Sequence, residues 1–160
     1  MRRVVPLLIA LTAVLACDKT TGPVPVPTPI ATPTISENYT GTLSPSGSNL
    51  HFFQVQQDSQ VLVTLTRLVT VPVAADPKAN PPVLAIPATP ITGAVTINVG
   101  QQALTTLGVT CSSLKSVVAS AAATPQLTGQ ALKGTYCVSI IDTNAVLPRS
   151  TTYAITVAHS

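Results

Sequence analysis

Few side chains in this 160-residue sequence can do chemistry. There are two histidines, His51 and His159, five acids, and three cysteines at Cys17, Cys111 and Cys137. A Ser–His–Asp arrangement can be assembled on paper from any serine, His51 and Asp58, yet no nucleophile-elbow motif accompanies it. His51 falls at the start of an apolar alternating run. His159 is second from the C-terminus, where chains ordinarily fray. Hydrolysis of a glycoside needs two convergent carboxylates. Asp58, Asp76 and Asp142 instead stand in turn-like contexts, where an aspartate serves nearby backbone. A Gly-rich phosphate loop, CxxC and HExxH are all missing. The expectation is a protein that is not an enzyme, with no catalytic residue, no cofactor and no metal site.

Cys17 has a distinctive setting. Arg2 and Arg3 precede an apolar stretch, Val4 to Leu15, of about a dozen residues, the length of a signal h-region. A spanning helix needs about 20 apolar residues, so this stretch is too short for one. Val14-Leu15-Ala16-Cys17 then resembles a bacterial lipobox, with Val at minus three and Ala at minus one; Leu15 at minus two is the less usual choice. The rival is a plain secretory peptide cut near Ala16. The resemblance implies that residues 1–16 are removed and that Cys17 carries two or three acyl chains. At about 0.8 kcal/mol per buried methylene, more than one chain anchors a protein stably. Asp18 follows, a position where an acidic residue favours inner-membrane retention in some Gram-negative bacteria.

That assignment sorts the cysteines and the charge. With Cys17 lipidated, Cys111 and Cys137 remain as a pair, which in an exported chain usually forms a disulfide. Closing a loop of that size contributes about 3 kcal/mol on the chain-entropy account. Two free thiols or a metal site are the alternatives, and zinc would want further Cys or His ligands. The formal charge of +3 includes Arg2 and Arg3. Without them the balance is nearly neutral and no basic stripe remains, so nucleic acid is not an expected partner.

Residues 17–35 form the lipidated cysteine and a Pro-rich linker. Gly22-Pro23-Val24-Pro25-Val26-Pro27-Thr28-Pro29 favours extended polyproline II over helix or central strand. Residues 36–160 read as one domain. Charged residues are 8% and aromatics 3%, against about 25% charged in ordinary soluble domains. Val, Thr, Ala and Ser in short alternating runs indicate strands. Tyr39 to Leu43 is one such run, followed by a turn at Pro45 to Asn49. His51 to Gln56 places Phe53 and Val55 inward. After a tight turn at Asp58-Ser59, Val61 to Thr66 places Val61, Val63 and Leu65 on one face, and these two strands are expected to pair as a hairpin. Residues 70–93 are obscure: six prolines between Pro72 and Pro90 argue against a central strand, with Val83 to Ile86 a candidate edge strand. Val95 to Val99 ends at Gly100. Leu114 to Ala123 fits a strand or a brief helix. Gly134 to Ile140 directs Tyr136, Val138 and Ile140 to one face, and Thr152 to Val157 directs Tyr153, Ile155 and Val157 inward. Short strands separated by turns indicate an all-β antiparallel sandwich or barrel.

Asn38-Tyr39-Thr40-Gly41-Thr42-Leu43, His51-Phe52-Phe53-Gln54-Val55, the strand at 61–66, Gly134-Thr135-Tyr136-Cys137-Val138 and Tyr153-Ala154-Ile155-Thr156-Val157 together resemble the bacterial pre-peptidase C-terminal domain over roughly residues 37–160. The resemblance implies a jelly-roll-like β-sandwich. Some relatives bind collagen, polysaccharide or calcium. This sequence has no acidic cluster, so calcium is not carried over, and no ligand-binding residue can be mapped. The expected role is a non-catalytic lipoprotein of the bacterial cell envelope, on its periplasmic or outer surface side. Its sandwich would meet an unknown envelope protein or glycan, or serve as a structural component of an envelope complex. A small hydrolase is the least favoured reading.

Overall fold

The computed structural model describes residues 30, 32–106 and 108–160. Residues 1–16, Cys17 and most of the Pro-rich linker lie outside that range. Eight strands follow in order: β1 Ile35–Leu43, β2 Ser48–Val55, β3 Ser59–Thr70, β4 Val95–Thr105, β5 Gly108–Ala119, β6 Leu127–Ala131, β7 Gly134–Ile141 and β8 Thr151–His159. No helix occurs among the described residues.

The strands form two antiparallel four-stranded sheets, ordered β1-β8-β3-β6 and β2-β7-β4-β5. Partners nest around the β4–β5 hairpin: β3 with β6, β2 with β7, β1 with β8. A long hairpin rolled up in this way is a jelly-roll β-sandwich. Alternate residues of each strand meet between the sheets. Val61, Val63 and Leu65 of β3 and Val95 and Ile97 of β4 are sealed there, with Val138 and Ile140 of β7 and Tyr153, Ile155 and Val157 of β8. The inward faces expected for β3, β7 and β8 are the observed ones.

Pairing departs from the expected hairpin. The 51–56 and 61–66 segments lie in different sheets, β2 beside β7 and β3 between β6 and β8. The link from Val55 to Ser59 passes from one sheet to the other, because each strand finds its partner far along the chain. Val83 to Ile86 belongs to neither sheet. It pairs locally through Val73–Ile86 and Asp76–Val83 bridges, each with two backbone hydrogen bonds of 2.9 Å. The prolines expel this arm from the sheets without unfolding it, and Arg149 Nη2 donates to the Pro87 carbonyl at 2.9 Å and Thr70 Oγ1 at 2.8 Å. Leu114 to Ala119 is strand, and β4 does not end at Gly100 but runs on to Thr105 past a bulge.

That bulge shapes one side of the molecule. Val99 pairs with Lys115 and Gly100 with Ser113, leaving Leu114 as the extra residue. A Cβ at Gly100 would lie 2.0 Å from the Ser112 carbonyl oxygen, so only glycine permits this approach. Beyond it the β4–β5 hairpin coils over the outer face of its own sheet. Cys111 of β5 and Cys137 of β7 record the coil: they are disulfide-bonded with Cα atoms 5.8 Å apart. In a flat sheet, strands separated by one neighbour lie roughly 9.6 Å apart.

Candidate functional site

The residues with chemical potential gather on β1, β2 and β8, where the two sheets share an edge. Glu37 and Tyr39 are two apart on β1 and so share a face. The Tyr39 hydroxyl donates to Glu37 Oε2 and lies 2.8 Å from the Phe52 carbonyl. Its ring stacks on His51 of β2, centroids 4.8 Å apart. His51 Nε2 shares a 2.7 Å hydrogen bond with the Tyr153 hydroxyl of β8, and that hydroxyl sits over Gly41, where a Cβ would come within 2.6 Å of it. At the far end Glu37 Oε1 accepts from His159 Nε2 at 2.8 Å; a carboxylate only accepts, so this nitrogen carries a proton.

Burial sets the electrostatics of the row. It lowers the pKa of His51 and raises that of Tyr153. Tyr39 is pushed well above the usual phenol range, first by burial and then by its hydrogen bond to Glu37. His51 is therefore held toward its neutral form, and the two phenols keep their protons.

His159 does not fray. It is 1% exposed, with its ring 5.3 Å from that of Phe53. The following backbone is tied on several sides. Gln56 N–H donates to the Ser160 carbonyl at 2.8 Å, Thr34 N–H to the His159 carbonyl at 2.9 Å, and Ser160 Oγ to the Thr32 carbonyl at 2.7 Å. A terminus frays when its backbone groups face water; β8 runs between β1 and β3, so here they find partners.

This row ties the sheets together across β1, β2 and β8. Neither histidine hydrogen-bonds to a Ser, Thr or Cys side chain among the described residues. Asp58, the acid of the paper triad, instead accepts from Lys133 N–H at 2.8 Å. Asp76 accepts from Lys78 N–H at 3.0 Å. Asp142 is 2% exposed and accepts from Ser46, Val146 and Leu147 N–H. It ties together two turns whose Ser46 and Ala145 adopt positive φ of 56° and 51°. All three aspartates serve loop backbone, the role their contexts indicated. No group of three or more His, Cys, Asp or Glu that could hold a metal occurs among the described residues.

The structure joins Cys111 to Cys137 and leaves Cys17 outside the described residues. What sequence reasoning missed is the Glu37–Tyr39 pair; its signal was the two-residue spacing on a strand, which puts both on one face.

A surface of a different kind lies on the opposite side of the sandwich. β5 is an edge strand of twelve residues. It exposes Leu114 and Val118 at 64% and 61%, and Leu104 stands at 81% near the hairpin tip. Of the aromatic residues, only Phe52 is exposed, at 38%. No protein-family model matches the chain, and no curated protein matches it.

Proposed function

We propose that this protein is a non-catalytic lipoprotein of the cell envelope, held on a membrane through Cys17, whose β-sandwich joins a protein partner along β5. The observation that carries the reading is the β5 edge. A long uncovered strand presents a row of backbone donors and acceptors that another strand can complete. Exposed Leu114 and Val118 add apolar contact, and the Cys111–Cys137 bridge holds the hairpin in one shape before a partner arrives. This favours a component of an envelope assembly over a glycan reader, since a sugar platform uses exposed aromatic rings and Phe52 stands alone.

The test is site-directed photo-cross-linking in intact cells. Photoreactive residues at Ser116 and Val118 are expected to capture one envelope protein, at sites two residues apart in that partner, as strand addition requires. A probe at exposed Thr40 on β1 is expected to capture none of it. Equal capture from Thr40, or none from β5, contradicts the reading.

A further inference from the structure

Where β5 coils away, the sandwich gapes. The opening lies between β5 and β6 and has a volume of about 320 Å³. Its walls are Val61, Val99, Leu114 and Leu127. Two features keep it from closing. β5 carries its extra residue at Leu114, and the stretch before it, with Cys111 held to Cys137, turns outward, while β5 meets β6 through Lys115 and the Thr128 carbonyl. Gly129 sits at an inward position of β6, and a Cβ there would meet nothing within 4 Å. The space a side chain would fill is vacant, and the backbone would accept one.

Three polar side chains line this cleft: Lys115, Tyr136 and the exposed Gln130. Lys115 pairs with Val99 and so starts from the inward side of β5, with its side chain exposed at the mouth. Its ammonium crosses the mouth to donate to the Thr128 carbonyl of β6. Tyr136 is 4% exposed and lines the interior. Its hydroxyl has no hydrogen-bond partner among the described residues, although buried polar groups are nearly always paired. The hydroxyl is also not among the fully buried unpartnered atoms, so it keeps some exposure.

We infer that this cleft is a binding site for a single-chain aliphatic carboxylate, with its tail between the sheets and its head at Lys115. An apolar cavity with a few convergent polar groups is the usual form of a small-molecule site. The volume corresponds to about ten water molecules. A methylene takes a similar space, so one chain of about ten carbons fits and a two-chain lipid does not. Lys115 is the only charged residue on the walls, and its present partner, a neutral carbonyl, is a weaker acceptor than a carboxylate. The site stands on the described domain and does not depend on Cys17 carrying lipid.

The test uses the full chain with Cys17→Ser, so that no acyl group of its own competes, titrated calorimetrically with decanoate and with decanol. Decanoate is expected to bind with one-to-one stoichiometry. Gly129→Leu, which fills the vacant space, is expected to abolish binding while keeping the disulfide and raising the thermal transition, which separates occlusion from misfolding. Lys115→Gln is expected to weaken decanoate by about tenfold, the loss of one charge-assisted hydrogen bond, and to leave decanol unchanged. Failure of the parent chain to bind decanoate, undiminished binding by folded Gly129→Leu, or the same response of both ligands to Lys115→Gln would overturn the assignment.

Discussion

His51 and His159 end up in one row with Glu37, Tyr39 and Tyr153, and each ring is used for contact. Tyr39 covers a face of His51 and Tyr153 holds its Nε2. The pKa of His51 is lowered by burial, and that has a defined consequence for stability. Below its unfolded value of about 6.5 the unfolded chain takes up a proton that the folded chain resists. Stability from this residue is therefore full above pH of about 6.5 and is lost as the pH falls toward the lower folded value. The groups facing His51 are the phenols Tyr39 and Tyr153, with Glu37 reached through Tyr39. Urea midpoints measured from pH 7.5 to 5.5 are expected to fall on acidification, and His51→Gln is expected to flatten that slope. An unchanged slope in the variant contradicts the assignment of the effect to His51. The role of His159 was hidden in the sequence by its place at the chain end, because burial there depends on Glu37 and Phe53, both more than a hundred positions away.

At the scale of elements, the alternation of Val, Ile, Leu and Tyr with Thr and Ser made β3, β4, β7 and β8 legible, including, for β3, β7 and β8, which side chains face inward. Pairing was not legible, since a period of two carries no record of which strand lies alongside. A hairpin is the nearest guess for neighbours such as β2 and β3, and the jelly roll instead sets β2 against β7. β6 left no pattern to read: Leu-Thr-Gly-Gln-Ala is short, and its middle inward position is Gly129. The first half of β5, Gly108 to Ser113, was obscure because an exposed edge strand needs no apolar alternation. The coil of β4–β5 depends on Gly100 above all. Gly100→Ala sets a Cβ against the Ser112 backbone, which cannot rotate away as a side chain would. The expected cost is about 2 kcal/mol or more, read as a lower denaturation midpoint with an unchanged dependence on denaturant. A variant as stable as the parent would mean that the coil yields, contrary to the geometry at the bulge.

Across the whole molecule, the sandwich has two working sides. The β1–β2 edge is closed by its row of tyrosines and histidines. The opposite side carries an uncovered strand and an open cleft, where the proposed partner and ligand would meet it. The proposed lipid anchor is Cys17, and Ile30, where the described structure begins, lies thirteen positions later. A chain of that length reaches at most about 45 Å, so anchoring at Cys17 would keep the sandwich close to the bilayer. The most direct test of this account is mass spectrometry of the N-terminal peptide from fractionated cells. The account predicts a mature chain in the membrane fraction that begins at Cys17 and carries diacylglycerol on its sulfur, and release of the protein from the membrane by Cys17→Ser. A soluble chain with unmodified Cys17, or one cleaved elsewhere, would contradict it.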